Sequence, residues 1–66
     1  MDFIATVEDN QRSNIQEIAN TLEKMGIRVR KVMRMTGVIT GSSQTLAKVR
    51  IKGIRSVEQD RRLRAS

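Results

Sequence analysis

The chain contains no cysteine, histidine, proline, tryptophan or tyrosine, and its one aromatic side chain is Phe3. Without cysteine there is no disulfide staple and no thiolate zinc site; without histidine the commonest remaining metal ligand and acid/base group is missing too. No metal and no other cofactor is therefore expected. An enzyme is the least expected class, since there is also no glycine-rich phosphate loop and no nucleophile paired with a base. The lack of proline, repeats and low-complexity linkers leaves 66 residues as one domain. At that length folding buries only about 60% of the unfolded surface, so every buried side chain counts. No apolar run approaches the ~20 residues that span a bilayer, and the start of the chain carries neither a basic leader nor an apolar signal segment. A soluble, cytoplasmic chain with no membrane partner is the expectation.

What is present is charge, unevenly placed. Of the formal +6, residues 1–26 carry five acids against Arg12 and Lys24, a net −3, and residues 27–66 carry eleven bases against Glu58 and Asp60, a net +9. Such asymmetry points to an acidic partner surface or a nucleic acid.

Phe3-Ile4-Ala5-Thr6-Val7 alternates, with Phe3, Ala5 and Val7 on one face and Ile4 and Thr6 on the other, so a first strand is predicted over about 2–8. Asp9-Asn10-Gln11-Arg12 reads as a polar turn. Ser13 and Gln16 have capping-box spacing, Ile15, Ile18, Ala19, Leu22 and Met25 recur at helical spacing, and Gly26 stands where a left-handed cap is wanted. A second strand begins at Ile27, with Val29, Met33 and Met35 on its apolar face and Arg28, Arg30, Val32 and Arg34 opposite; Lys31 interrupts the apolar face as a bulge or strand end would. Met25, Met33 and Met35 are expected as core filler, and the Arg28, Arg30, Lys31, Arg34 stripe as a solvated face. Thr36-Gly37 predicts a hairpin turn, Val38-Ile39-Thr40 a short third strand, and Gly41-Ser42-Ser43 a loop whose serines suit an N-cap. Residues 44–52 fit two templates. Val49 and Ile51 alternate with Lys48, Arg50 and Lys52 as in a strand, while the serines before and Gly53 after favour a short helix. The helix is the preferred reading.

A final strand is predicted over 54–60, followed by the basic run Arg61-Arg62-Leu63-Arg64 and by Ala65-Ser66. Alternation puts the carboxylates of Glu58 and Asp60 on one face. The order β-α-β-β-α-β predicts an α+β, ferredoxin-like fold, a four-stranded antiparallel sheet with two helices on one face.

Ser56-Val57-Glu58-Gln59-Asp60, preceded by Gly53-Ile54 and followed by six residues, resembles the closing strand of subtilisin propeptides and of the stand-alone inhibitors related to them, the I9 inhibitor family. The likeness runs the length of the chain in the order of its elements, and Val57, Glu58 and Asp60 are its sharp part. It implies a propeptide-like domain over 1–60, monomeric when free, and an extended tail over 61–66. It also implies a partner, a subtilisin-like serine protease bound in trans, with the chain as inhibitor, folding helper or excised propeptide. In the family, the outer sheet face packs on two surface helices of the protease, and two carboxylates cap the helix N-termini, where free N–H groups favour anions. Glu58 and Asp60 match those caps. The tail would lie product-like in the substrate cleft: Leu63 in the fourth pocket from the scissile position, Arg64 toward solvent, Ala65 in the small second pocket and Ser66 in the first. The dense bases Arg61, Arg62 and Arg64 imply an acidic cleft.

Two other classes compete. A basic ferredoxin-like nucleic-acid module would bind through charge and respond steeply to salt, but domains of this shape that read RNA stack bases on sheet aromatics, and Phe3 is alone here. A regulatory or oligomerisation module would need a small-molecule pocket or a sheet-edge dimer.

Overall fold

A computed structural model describes residues 1–60; the tail 61–66 lies outside the described residues. The fold is α+β. Strands β1 (Asp2–Val7), β2 (Arg28–Met33), β3 (Val38–Ser42) and β4 (Ile54–Gln59) form one sheet in the order β2-β3-β1-β4, every neighbouring pair antiparallel. One α-helix, α1 (Ile15–Lys24), covers one face. Among the described residues no helix is long and apolar enough to cross a membrane.

The core forms where the two periodicities meet. The even alternation of β1 buries Phe3, Ala5 and Val7, and the helical spacing of α1 buries Ile15, Ile18, Ala19 and Leu22; Ile27, Ile39, Val49 and Val57 complete the cluster. Removing such side chains from water contributes roughly 1.5–3 kcal/mol for each large one.

The end of α1 follows from Gly26. Its amide donates to Glu23 O and that of Ile27 to Leu22 O, which is the Schellman arrangement, and it turns Ile27 back onto the core beside Leu22. Gly26 has φ +89, and a Cβ placed there meets nothing within 4 Å. Gly26→Ala is therefore expected to cost backbone strain alone, about 1 kcal/mol, read as a small drop in the urea midpoint at unchanged slope. A loss several times larger would show that the glycine has a packing role as well.

The start of α1 differs from the predicted capping box. Residues Asp9–Asn14 already form a 3-10 helix that runs into α1, so Ser13 sits inside a helical run rather than at an extended N-cap. The cap position is Asn14, with no side-chain bond to the helix, and Gln16 donates instead to Asn20 Oδ1 at 3.3 Å. The 3-10 segment also reaches the hairpin loop, Arg12 donating to Met35 O at 3.4 Å, and the end of β1 holds the same loop, Val7 N–H donating to Gly37 O.

Three further expectations are corrected. Gly41 and Ser42 belong to β3 rather than to a loop, because β3 is an interior strand and finds partners on both sides, Phe3 and Asp2 in β1, Val29 and Arg28 in β2. The methionines are not core filler: Met35, in the hairpin loop, is 89% exposed, Met25, turned outward by the helix cap, is 45% exposed, and Met33 is half-buried on the side of the sheet away from α1.

The second helix, predicted over 44–52, is replaced by a single 3-10 turn, Ala47–Val49. The reason is spacing. Val49 is fully buried and Ile51, two residues on, also packs on the core, whereas positions two apart on an α-helix lie on nearly opposite sides. Side chains hold the turn instead, with Thr45 Oγ1 accepting the Lys48 amide and Ser43 Oγ donating to Thr45 O.

Candidate docking face

With α1 on one side of the sheet, the other side carries no element of the described chain. Its rows can be read from the strand register. Arg28 of β2 lies level with Ser42 of β3 and Asp2 of β1; Lys31 with Thr40, Ile4 and Glu58; Met33 with Val38, Thr6 and Ser56. None of these is a core residue. The middle of the face, on β3 and β1, is thus half-buried and uncharged apart from Asp2, with further charge at its two edges.

Glu58, exposed on β4, stands opposite Ile4. Asp60 continues the ladder one residue past the strand, its amide donating to Asp2 O at 2.9 Å, so alternation puts its side chain on the side of Glu58. The structure therefore brings the two predicted carboxylates to one face and adds a third, Asp2. Like charges on facing strands repel. Here the Arg30 guanidinium offsets part of that by reaching over β3 to Asp2 Oδ1 at 3.3 Å. Asp2 was legible in the alternation of β1, which sets it with Ile4 and Thr6, but nothing in the chain announced its nearness to Asp60.

The opposite edge owes its shape to an irregularity. The register of β2 on β3 slips by one residue between Val29 and Lys31. Before the slip Val29 pairs with Gly41 on the helix side; after it Val32 pairs with Ile39, again on the helix side, and Lys31 faces Thr40 on the open side. The even alternation that groups Val29 with Lys31 and Met33, and Val32 with the arginines, is thereby corrected. The lysine interrupting the apolar run was the visible sign of the bulge.

Leu63, Arg64, Ala65 and Ser66, which the resemblance assigns to a substrate cleft, lie outside the described residues. Among the described residues no three His, Cys, Asp or Glu side chains gather to hold a metal ion. No family model, curated protein or solved structure matches the chain.

Proposed function

We propose that this chain binds and inhibits a subtilisin-like serine protease in trans. The open sheet face docks on the enzyme, Glu58 and Asp60 meet the N-termini of two surface helices, and residues 61–66 enter the substrate cleft as a product-like strand. The observation that supports this best is that Glu58 on the edge strand β4 and Asp60 one residue past it lie on the uncovered side of the sheet, at the end where residues 61–66 follow. A carboxylate at an exposed helix N-terminus contributes about 0.3–1 kcal/mol, and up to about 2 when partly buried, so two of them orient a complex more than they hold it. The larger share falls to the cleft, where backbone bonding in β-strand fashion combines with the pockets for Leu63 and Ala65.

The ferredoxin-like reading belongs to the same proposal. Strands β1 and β2 run parallel on either side of β3, the split βαβ arrangement, and the second crossover is shortened to a turn and loop. Shortening on the helix side leaves the docking face as it is. The nucleic-acid reading is weaker, because Phe3 is fully buried and three carboxylates occupy the face that a phosphate backbone would have to cross.

The test compares the full chain with one ending at Arg62, against a panel of subtilisin-like proteases. The full chain is expected to inhibit at least one of them, and the shortened chain to lose that inhibition while keeping its thermal midpoint. Equal inhibition by both would remove the tail from the mechanism. No inhibition of any panel member by the full chain would remove the proposal.

A further inference from the structure

The bulge in β2 adds Lys31 to Arg28 and Arg30, so that three bases stand on the open side of the sheet at the edge away from Glu58 and Asp60. Arg28 lies level with Ser42, Lys31 faces Thr40, and Arg30 reaches Asp2. An unbroken strand would have sent Lys31 toward the core with Val29, so the irregularity is what re-aims it. The Arg30 charge is offset by Asp2. Arg28 and Lys31 are exposed, and their side chains make no hydrogen bond or ion pair among the described residues.

We infer that Arg28 and Lys31 recognise carboxylates on the partner protein, the same protein that Glu58 and Asp60 engage, so that the face is read from a basic and an acidic edge at once. This rests on the protease-binding reading and specifies the partner further: it carries an acidic patch beside the helices it presents to β4. Three strand spacings separate the two edges by about 14 Å. That exceeds the Debye length of about 8 Å at physiological ionic strength, so each edge attracts its own counterpart with little cancellation from the other. Docking in the reversed direction would set base against positive helix ends and acid against acid, which fixes the orientation of the complex.

Strand β2 is also an edge strand, and bases together with a bulge keep such edges from pairing with foreign strands. That role by itself involves no contact with the partner, and charge reversal would then leave binding untouched. Nucleic acid fits the face less well, since Asp2, Glu58 and Asp60 share it and the single aromatic is in the core.

The experiment uses the full chain, Arg28→Glu/Lys31→Glu and Arg28→Gln/Lys31→Gln, with association and dissociation rates measured against an inhibited panel protease at low and at physiological salt. All three are expected to share one thermal midpoint, since the altered side chains are exposed. The reversed variant is expected to associate about tenfold more slowly at low salt, the neutral one to fall between, the gap to narrow as salt rises, and dissociation to change little. Unchanged association of both variants, with tail-dependent inhibition intact, overturns this inference and leaves the protease reading standing. Absence of inhibition by the full chain overturns both. Salt-sensitive retention of a single-stranded oligonucleotide by the full chain, lost in the reversed variant, reassigns the two bases to a nucleic acid and overturns it as well.

Discussion

Phe3→Ala is expected to leave much of the chain unfolded at 25 °C. Phe3 is fully buried on β1, the strand flanked by β3 and β4, and it shares the core with Ile15, Leu22 and Ile39. Removing a buried phenylalanine costs about 3–5 kcal/mol. A domain of 66 residues has a total stability of about 3–10 kcal/mol at the usual 0.05–0.15 kcal/mol per residue, so one substitution removes much of it. Little could refill the space. The residue opposite Phe3 on β3 is Gly41, which has no side chain to lean in, and the chain has no disulfide to hold the remaining core together. Urea unfolding followed by far-ultraviolet circular dichroism measures the effect, with Phe3→Leu as a milder companion. A midpoint within a few tenths molar of the parent would mean that the core does not depend on this ring.

Gly41→Ala is expected to be the second most damaging change, for a different reason. The residue is not in the left-handed region; the obstacle is the neighbouring strand. A Cβ at Gly41 would lie 2.1 Å from Arg28 O and 3.0 Å from Val29 Cα, both backbone atoms of β2 beside the bulge. A flexible side chain could swing away, but these atoms move only if the β2–β3 ladder opens, and overpacking of this kind costs about 3 kcal/mol. Gly26→Ala, with empty space around its Cβ, makes the contrast. Hydrogen exchange should report the damage locally, with β2 amides exchanging faster than those of β1 and β4. Uniform acceleration across the sheet would mean that the ladder fails as a whole. The variant would also disturb the setting of Arg28 and Lys31, so slower association with a partner should accompany the loss of β2 protection.

Parts of this fold could be read from the chain because their causes are local. The period-two pattern of residues 3–7 names the buried face of β1, the stripe from Ile15 to Leu22 names that of α1, and Gly26 marks its end with the residue that best tolerates positive φ. Glu58 and Asp60 share a face for the same reason: they are two apart in extended chain, Asp60 continuing the ladder one residue past β4. Where reading failed, a nearby pattern competed with a distant contact. Ser13 and Gln16 have the spacing of a capping box, yet the preceding 3-10 helix takes the place of the extended residue that such a cap requires. Residues 44–52 were ambiguous between two templates, and the core's demand for both Val49 and Ile51 rejected the helix.

The amino-acid order was thus enough to read a small α+β fold, its first strand, its helix and the face of its two closing carboxylates, since alternation, helical spacing and a glycine cap act between residues a few positions apart. The placement of Asp2 beside Asp60, the tie from Arg30 over β3 to Asp2, and the turning of Lys31 onto the open face came from assembly of the sheet. Each depends on register between strands distant in the chain, and register is set by how their side chains and backbones pack together, which no local pattern carries.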